Sequence, residues 1–329
     1  MNVQIRATGH YLPRRGLTGA EVEAELGLEP GSFADRNGVA HRHRADQSAG
    51  ETTSQMGTWA AEDALQRANM DASDLDLIVF ASAGPEQVVP DTAPFIQQKL
   101  GLGNSGITCF SVHSTCLSFL TAIDVVGSLI ETGRYRQALI VSSEVSSVAM
   151  NPNDPKTYTL FGDGAAAAIL TQTPPGESSR ILRAHFSTFG EAAGFTQIPG
   201  CGTLRHPNIP STTFADNTFQ MDGREVLLYA MRHAPTVLDK IWPGLTQHCD
   251  DFEWIVPHQP SLVGMKALTK YFPPEKTIET LSRYGNCVSA SLPLSLDHAM
   301  RDARVKRGDR CLLFGTGAGL TIAGISLVL

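Results

Sequence analysis

The sequence predicts an α/β fold built from two duplicated halves, on three observations. Short β-rich apolar runs alternate with longer helical stretches along the whole chain. A polar stretch, Thr171–Arg180 (TQTPPGESSR) with Pro-Pro-Gly at its centre, divides the 329 residues into two similar lengths. Each length then repeats one order of motifs. The first runs DLDLIVFASAG, a turn into a helix at Cys116, RQALIVSSE and GDGAAAAIL; the second runs DFEWIVPHQPS, a turn at Gly285-Asn286-Cys287, GDRCLLFGTG and AGLTIAGISLVL. The halves are expected at residues 1–172 and 181–329, with their two strand-to-helix turns facing one shared site. Echoes of this kind also arise in α/β chains without duplication, so strand order is the test.

Leu75–Ala81, Ala138–Ser142, Ala165–Leu170, Trp254–Val256 and Cys311–Phe314 read as buried strands, being short, apolar and bounded by turn residues. Thr53–Ala68, Thr92–Leu100, Leu117–Ile130, Gly223–Ile241, Leu262–Tyr271 and Ala290–Arg301 read as helices. Asp91 precedes the second as a cap and Gly101 follows it as a stop. The Leu117–Ile130 run is apolar on every face and is expected to thread the core.

Composition excludes several classes. A formal net charge of −7 without a basic block argues against nucleic-acid binding. The densest basic stretch, His41–Arg44, reads as a solvated loop with no ligand set for a metal beside it. The start, MNVQIRATGHYLP, lacks a signal-peptide layout, and no apolar run reaches 18 residues, so no membrane association is expected. Six scattered cysteines without a CxxC fit reduced thiols in the cytoplasm.

Three residues could carry chemistry. Cys116 stands at the start of a helix, behind the hydroxyl-rich Ser111, Ser114 and Thr115; the helix dipole there favours thiolate. Packing explains an isolated cysteine equally well. His258 follows a strand in IVPHQPS, stiffened by Pro257 and Pro260. Asn286 follows Gly285 and heads the next helix, where a plain N-cap role is the simpler account. Cysteine, histidine and asparagine together suggest thiolate chemistry.

With these motifs the chain resembles the β-ketoacyl-ACP synthase III family of the thiolase superfamily along nearly its whole length. The resemblance is carried by ATGHYLP, Arg36–Val39, FGDGAAAAIL at 161–170, MDGREVLLYA at 221–230, VPHQ at 256–259, YGN…SAS at 284–291 and GTGAGLT at 315–321. It implies a thiolase-like five-layered αβαβα fold, a homodimer and a catalytic set of Cys116, His258 and Asn286. It further implies an oxyanion hole from the amides of Cys116 and Ala318, and substrate contacts at Arg36, Phe161, Thr316 and, from the partner subunit, Val89. The implied reaction loads an acyl group on Cys116 and condenses it with a malonyl thioester after loss of CO2. Its substrates are an acyl-CoA or acyl carrier protein and the malonyl thioester, with no further cofactor and no metal.

Departures from the family pattern bear on substrate choice. Ser32 stands where the family has a tryptophan stacked on the CoA adenine, and Val263 where it has an arginine linked to carrier docking, with Lys266 as a substitute. Ser261 replaces an asparagine in HQPS, Thr316 an aromatic, and Val89 a phenylalanine that closes the acyl pocket. The last change predicts medium or long acyl primers, and the first two a carrier of secondary metabolism. The alternatives are transfer of the acyl group to a hydroxyl or amine, or condensation of two acyl-CoAs without decarboxylation. Glu86 would serve the latter as a base, though an exposed carboxylate is its simpler reading.

Overall fold

The computed structural model describes residues 1–329, the side chain of Ala34 excepted. Two sheets carry the architecture. The first contains β1 (Val3–Tyr11), β2 (Leu77–Phe80), β3 (Thr108–Ser111), β4 (Gln137–Glu144) and β5 (Gly164–Gln172), in the spatial order β1-β5-β4-β2-β3. The second contains β6 (Arg180–Thr188), β7 (Trp254–Pro257), β8 (Arg310–Gly317) and β9 (Thr321–Val328), in the order β6-β9-β8-β7. The first two pairings in each order are antiparallel and the next is parallel, so the sheets match strand for strand. The equivalent of β3 is reduced to a parallel bridge between Ile255 and Thr277. This shared order is the duplication.

Helices fill the remaining layers: α1 (Thr53–Ala68), α2 (Thr92–Lys99), α3 (Ser118–Glu131), α4 (Gly223–Ile241), α5 (Leu262–Leu268) and α6 (Ser291–Arg301). Strand side chains alternate faces, and each sheet is covered on both. Val79, Ile140, Leu313 and Ile325 point into a central core with Phe119 and Ile123 of α3 and Leu292 and Leu296 of α6. Their neighbours Ile78 and Leu139 point outward onto Met56, Ala60 and Ala64 of α1. On the far side, Leu312 and Ile322 meet Val237, Leu238 and Ile241 of α4. The result is five layers, αβαβα, with α3 and α6 in the middle.

Caps explain why α1 ends where the sequence predicts. The Thr52 hydroxyl accepts from the Gln55 amide, and Asn69 closes the helix at φ 50°. Elsewhere the structure corrects the sequence reading. α3 is not buried all round: Val125 is exposed, with Ser128 beside it on the same solvent-facing side. The His41–Arg44 stretch is not a solvated loop but a strand paired with Arg15–Thr18. Its period of two turns Arg42 inward, where Nη1 donates to the Phe161 carbonyl at 3.3 Å.

His10, Asp63 and Asp297 cluster where β1, α1 and α6 meet. Arg301 bonds both carboxylates, and Asp297 also accepts from Thr8 at 2.7 Å and pairs with His10 at 2.6 Å. The cluster thus pins the central helix α6 to the first sheet. Among the described residues, no helix is long and apolar enough to cross a membrane.

Candidate active site

From β3 the chain enters a 3-10 turn, Thr115–Leu117, before α3 begins at Ser118. Thr115 holds φ 49°, a left-handed conformation that costs a β-branched residue roughly 1–3 kcal/mol. Ser118 ties the turn down: its hydroxyl donates to the Thr115 carbonyl at 2.7 Å and accepts from the Ser114 amide at 2.9 Å. Cys116, in the middle of this turn, lines a cavity of about 710 Å3.

The thiol is not acidified as its place before a helix suggests. Burial pushes it up to about 12, and the nearby Glu144 carboxylate adds to the rise. Opposing this, the backbone N–H groups of Ala318 and of Cys116 itself donate toward Sγ. Two amides converging on one atom are also suited to holding a developing oxyanion.

β8 approaches this turn closely because it carries glycines. A Cβ on Gly315 would lie 2.8 Å from the His258 Cβ and 3.0 Å from the Leu117 Cδ2; one on Gly317 would lie 2.9 Å from the Thr115 Oγ1. His258 follows β7, and its amide donates to the Phe314 carbonyl at 2.8 Å. The imidazole is buried, which drives its pKa down to about 4 and leaves the ring neutral near pH 7. Its Nδ1 is buried without a hydrogen-bond partner among the described residues.

Gln259 joins the histidine loop to the asparagine turn. Its Nε2 donates to the Pro257 and Ile278 carbonyls at 2.9 and 3.1 Å, and its Oε1 accepts from the Thr280 and Leu281 amides at 3.1 and 3.2 Å. Four bonds satisfy a fully buried carboxamide. Gly285 then turns the chain at φ +69°, where a Cβ would lie 2.9 Å from the Leu160 carbonyl. Asn286 accepts at Oδ1 from the Val288 amide at 2.8 Å and from Ser291 Oγ at 3.4 Å, while Nδ2 donates to the Pro260 carbonyl at 3.2 Å. Fixing Oδ1 in this way turns the amino group, with one N–H unspent on Pro260, toward the cavity that Asn286 lines. Asn286 thus ties down the start of the short turn Val288–Ala290, whose N-cap position is Cys287, and does not cap α6.

The cavity brings together Cys116, His258, Asn286, Ala318, Phe161 and Thr316. Its walls are largely apolar, including Val148, Met150, Ile198, Val226 and Leu320, and Phe161 packs edge-on against Phe219 at 4.8 Å between centroids. Two of the substrate contacts expected from the sequence lie outside it. Arg36 is exposed, its guanidinium 6.0 Å over Phe33. Val89 is 79% exposed beside Val88. Glu86 sits at the cavity wall but accepts from the Ser54 amide in the first turn of α1, a capping contact. Sequence reading missed Glu144, a buried carboxyl in the same cavity, because SSE at a strand end carries no motif.

A neutral thiol, two convergent amides and two further donor side chains in a largely apolar cavity are an arrangement suited to acyl chemistry. Comparison with known proteins agrees. Residues 110–190 match the family model for 3-oxoacyl-[acyl-carrier-protein (ACP)] synthase III, and residues 246–329 match its C-terminal model. Beta-ketoacyl-[acyl-carrier-protein] synthase III of Novosphingobium aromaticivorans is 34% identical over 323 residues, and that of Sphingopyxis alaskensis 32% over 319, each alignment spanning 96% of both chains. The crystal structure of 3-oxoacyl-[acyl-carrier-protein] synthase III from Aquifex aeolicus superposes with a TM-score of 0.87 at 29% identity, covering 99% of this chain and 100% of that one. The chain belongs to the β-ketoacyl-[acyl-carrier-protein] synthase III family of acyl-transferring condensing enzymes.

Proposed function

We propose that Cys116 carries an acyl primer and that the enzyme condenses it with a malonyl thioester by decarboxylation. The observation behind this reading is one cavity lined by Cys116, His258, Asn286 and Ala318. Cys116 Sγ attacks the donor thioester, the new S–acyl bond replaces the old one, and the departing thiol takes the proton. The amides of Cys116 and Ala318 hold the oxyanion in that step. The malonyl thioester then loses CO2, and His258 and Asn286 donate to its thioester oxygen while the carbanion attacks the acyl carbon. Neutral donors suit this step, since the charge they meet is a transient enolate. The C–C bond forms as the S–acyl bond breaks, and the released thiolate takes a proton from water to restore the Cys116 thiol.

The primer we assign is a medium or long acyl chain, in keeping with the apolar walls. The partners are an acyl-CoA or an acyl carrier protein. The exposed Val263, in place of a docking arginine, supports a dedicated carrier over the housekeeping one. We further propose a homodimer in the cytoplasm. β3 ends its sheet with an unpaired edge, and the exposed Val88-Val89 tip would cover the partner's cavity.

Intact-protein mass spectrometry after exposure to an acyl-CoA panel tests the first step, and addition of malonyl-carrier the second. Acylation of wild type but not of Cys116→Ser, favouring chains longer than acetyl, is expected. Asn286→Asp is expected to keep acylation and lose at least about 100-fold in condensation. Transfer of the acyl group to an added alcohol or amine, with no release of CO2, would overturn the condensing reading. A profile peaking at acetyl would overturn the primer assignment.

A further inference from the structure

Glu144 and Gly317 are equivalent residues. Each ends the eight-residue central strand of its sheet, and each pairs with the first residue of the next strand, Gly164 or Thr321. The turns they approach are equivalent too. Thr115–Leu117 and Val288–Ala290 are three-residue 3-10 turns, each entered at positive φ and each leading into a central helix. Their middle residues are Cys116 and Ser289.

The contacts cross over between halves. The β8 end lies on the Cys116 turn, where Gly317 leaves room for Thr115 and Ala318 donates to the thiol. The β4 end lies on the Ser289 turn, but there a carboxylate replaces the glycine. Glu144 Oε1 accepts from Ser289 Oγ and, at 2.7 Å, from the Ala83 amide; the amides of Gly84 and Ser289 also donate to the carboxylate. Ser289 lies three residues from Asn286, whose own Oδ1 holds Val288 and Ser291 on either side of that serine. Burying a carboxylate among neutral donors is costly, and strand geometry does not require one: Gly317 fills the same place. The other titratable side chains lining the cavity, besides Cys116, are Glu86, His113 and His258.

We propose that Glu144 is a positioning residue for condensation, holding through Ser289 the turn that presents the Asn286 carboxamide to the acylated Cys116. This rests on the reading of Cys116 and Asn286 given above. Sharing the cavity with Cys116, the same carboxylate also opposes thiolate formation, which gives the proposal a readout that a merely structural residue would not move.

The test compares Glu144→Gln, Ser289→Ala and the double variant with wild type. Three rates are read: Cys116 acylation, malonyl decarboxylation by the acylated enzyme, and iodoacetamide alkylation of Cys116 at pH 9. Each single change is expected to slow decarboxylation about 10-fold or more with acylation retained, and the double to be no slower than the worse single, because the two act as one contact. Alkylation is expected to speed up wherever the carboxylate is removed, in Glu144→Gln and in the double but not in Ser289→Ala, as for a fall in the thiol pKa. Additive losses in the double, or unchanged alkylation in Glu144→Gln, would overturn the proposal. Should Glu144→Gln not fold, Ser289→Ala decides alone: equal loss in acylation and decarboxylation overturns it. Failure of wild type to acylate at all would instead sink the condensing reading, with the alkylation comparison still reporting on Glu144.

Discussion

Thr115 and Val288 share a left-handed backbone conformation, at φ 49° and 50°, at the first residue of the two turns that face the cavity. Both are β-branched, the residue class least suited to that region. The strain is repeated because the fold is repeated: in each half a strand end must deliver a turn, and then a buried helix, into the space between two sheets. In the first half the turn presents Cys116, and in the second it follows Asn286.

Replacing either residue with glycine separates backbone strain from side-chain packing. Relief of the left-handed conformation is worth about 1–2 kcal/mol, and the added freedom of the unfolded chain costs about 0.4–1 kcal/mol. Thr115→Gly and Val288→Gly are therefore expected to leave unfolding stability unchanged or raise it by up to about 1.6 kcal/mol, measured by urea denaturation. A loss above about 3 kcal/mol in either would show that its side chain, not the backbone, holds the turn.

The site also predicts a pH signature with opposing signs. His258 falls from 6.5 to about 4 on folding, so its contribution is full above pH 6.5 and is lost as the pH falls toward 4. Glu144 rises from 4.5 to about 7, so its contribution is full below pH 4.5 and is lost as the pH rises through 7. Each is worth roughly 3 kcal/mol at most, and over pH 4.5–6.5 the two offset one another. Relative to wild type, His258→Asn is expected to gain stability as the pH is lowered from 8 to 5, and Glu144→Gln as it is raised over the same range. Urea unfolding at pH 5, 6.5 and 8 measures both; stability curves parallel to wild type would contradict the burial argument.

The parts of this protein legible in its sequence are those where one local rule decides. Leu77–Phe80 is apolar at every position because both faces of its sheet are covered, and the cap at Thr52 and the turn at Asn69 bound α1. Cys116, His258 and Asn286 stand in motifs with family spacing, so their meeting in one cavity could be expected. The edge strand Thr108–Ser111 could not: it is half-exposed, and its period is lost among polar residues. His41–Arg44 looks solvated because charge masks an alternation that only the partner strand makes visible. Glu144 and the Cys116 thiol escaped for a common reason: the protonation of each is set by burial and by groups brought from distant parts of the chain, Ala83 and Ser289 for Glu144, Glu144 and Ala318 for Cys116, and no local pattern encodes that.

Gly315 tests whether close approach of the two halves, rather than residue identity alone, sets the site. A methyl group there would press on the His258 Cβ and on Leu117, so β8 must retreat or the histidine loop must tilt. Overpacking of this kind costs about 1–3 kcal/mol. A displacement near 1 Å between reacting groups costs about 100-fold in rate, so activity should suffer more than stability. Gly190→Ala is the control, since a Cβ at that position meets no atom within 4 Å. Gly315→Ala is expected to lower condensation at least about 10-fold while remaining folded, with Gly190→Ala within about 0.5 kcal/mol of wild type. Full activity in Gly315→Ala would mean that the His258 loop moves freely, and that the contact between β8 and the Cys116 turn does not set the geometry of the site.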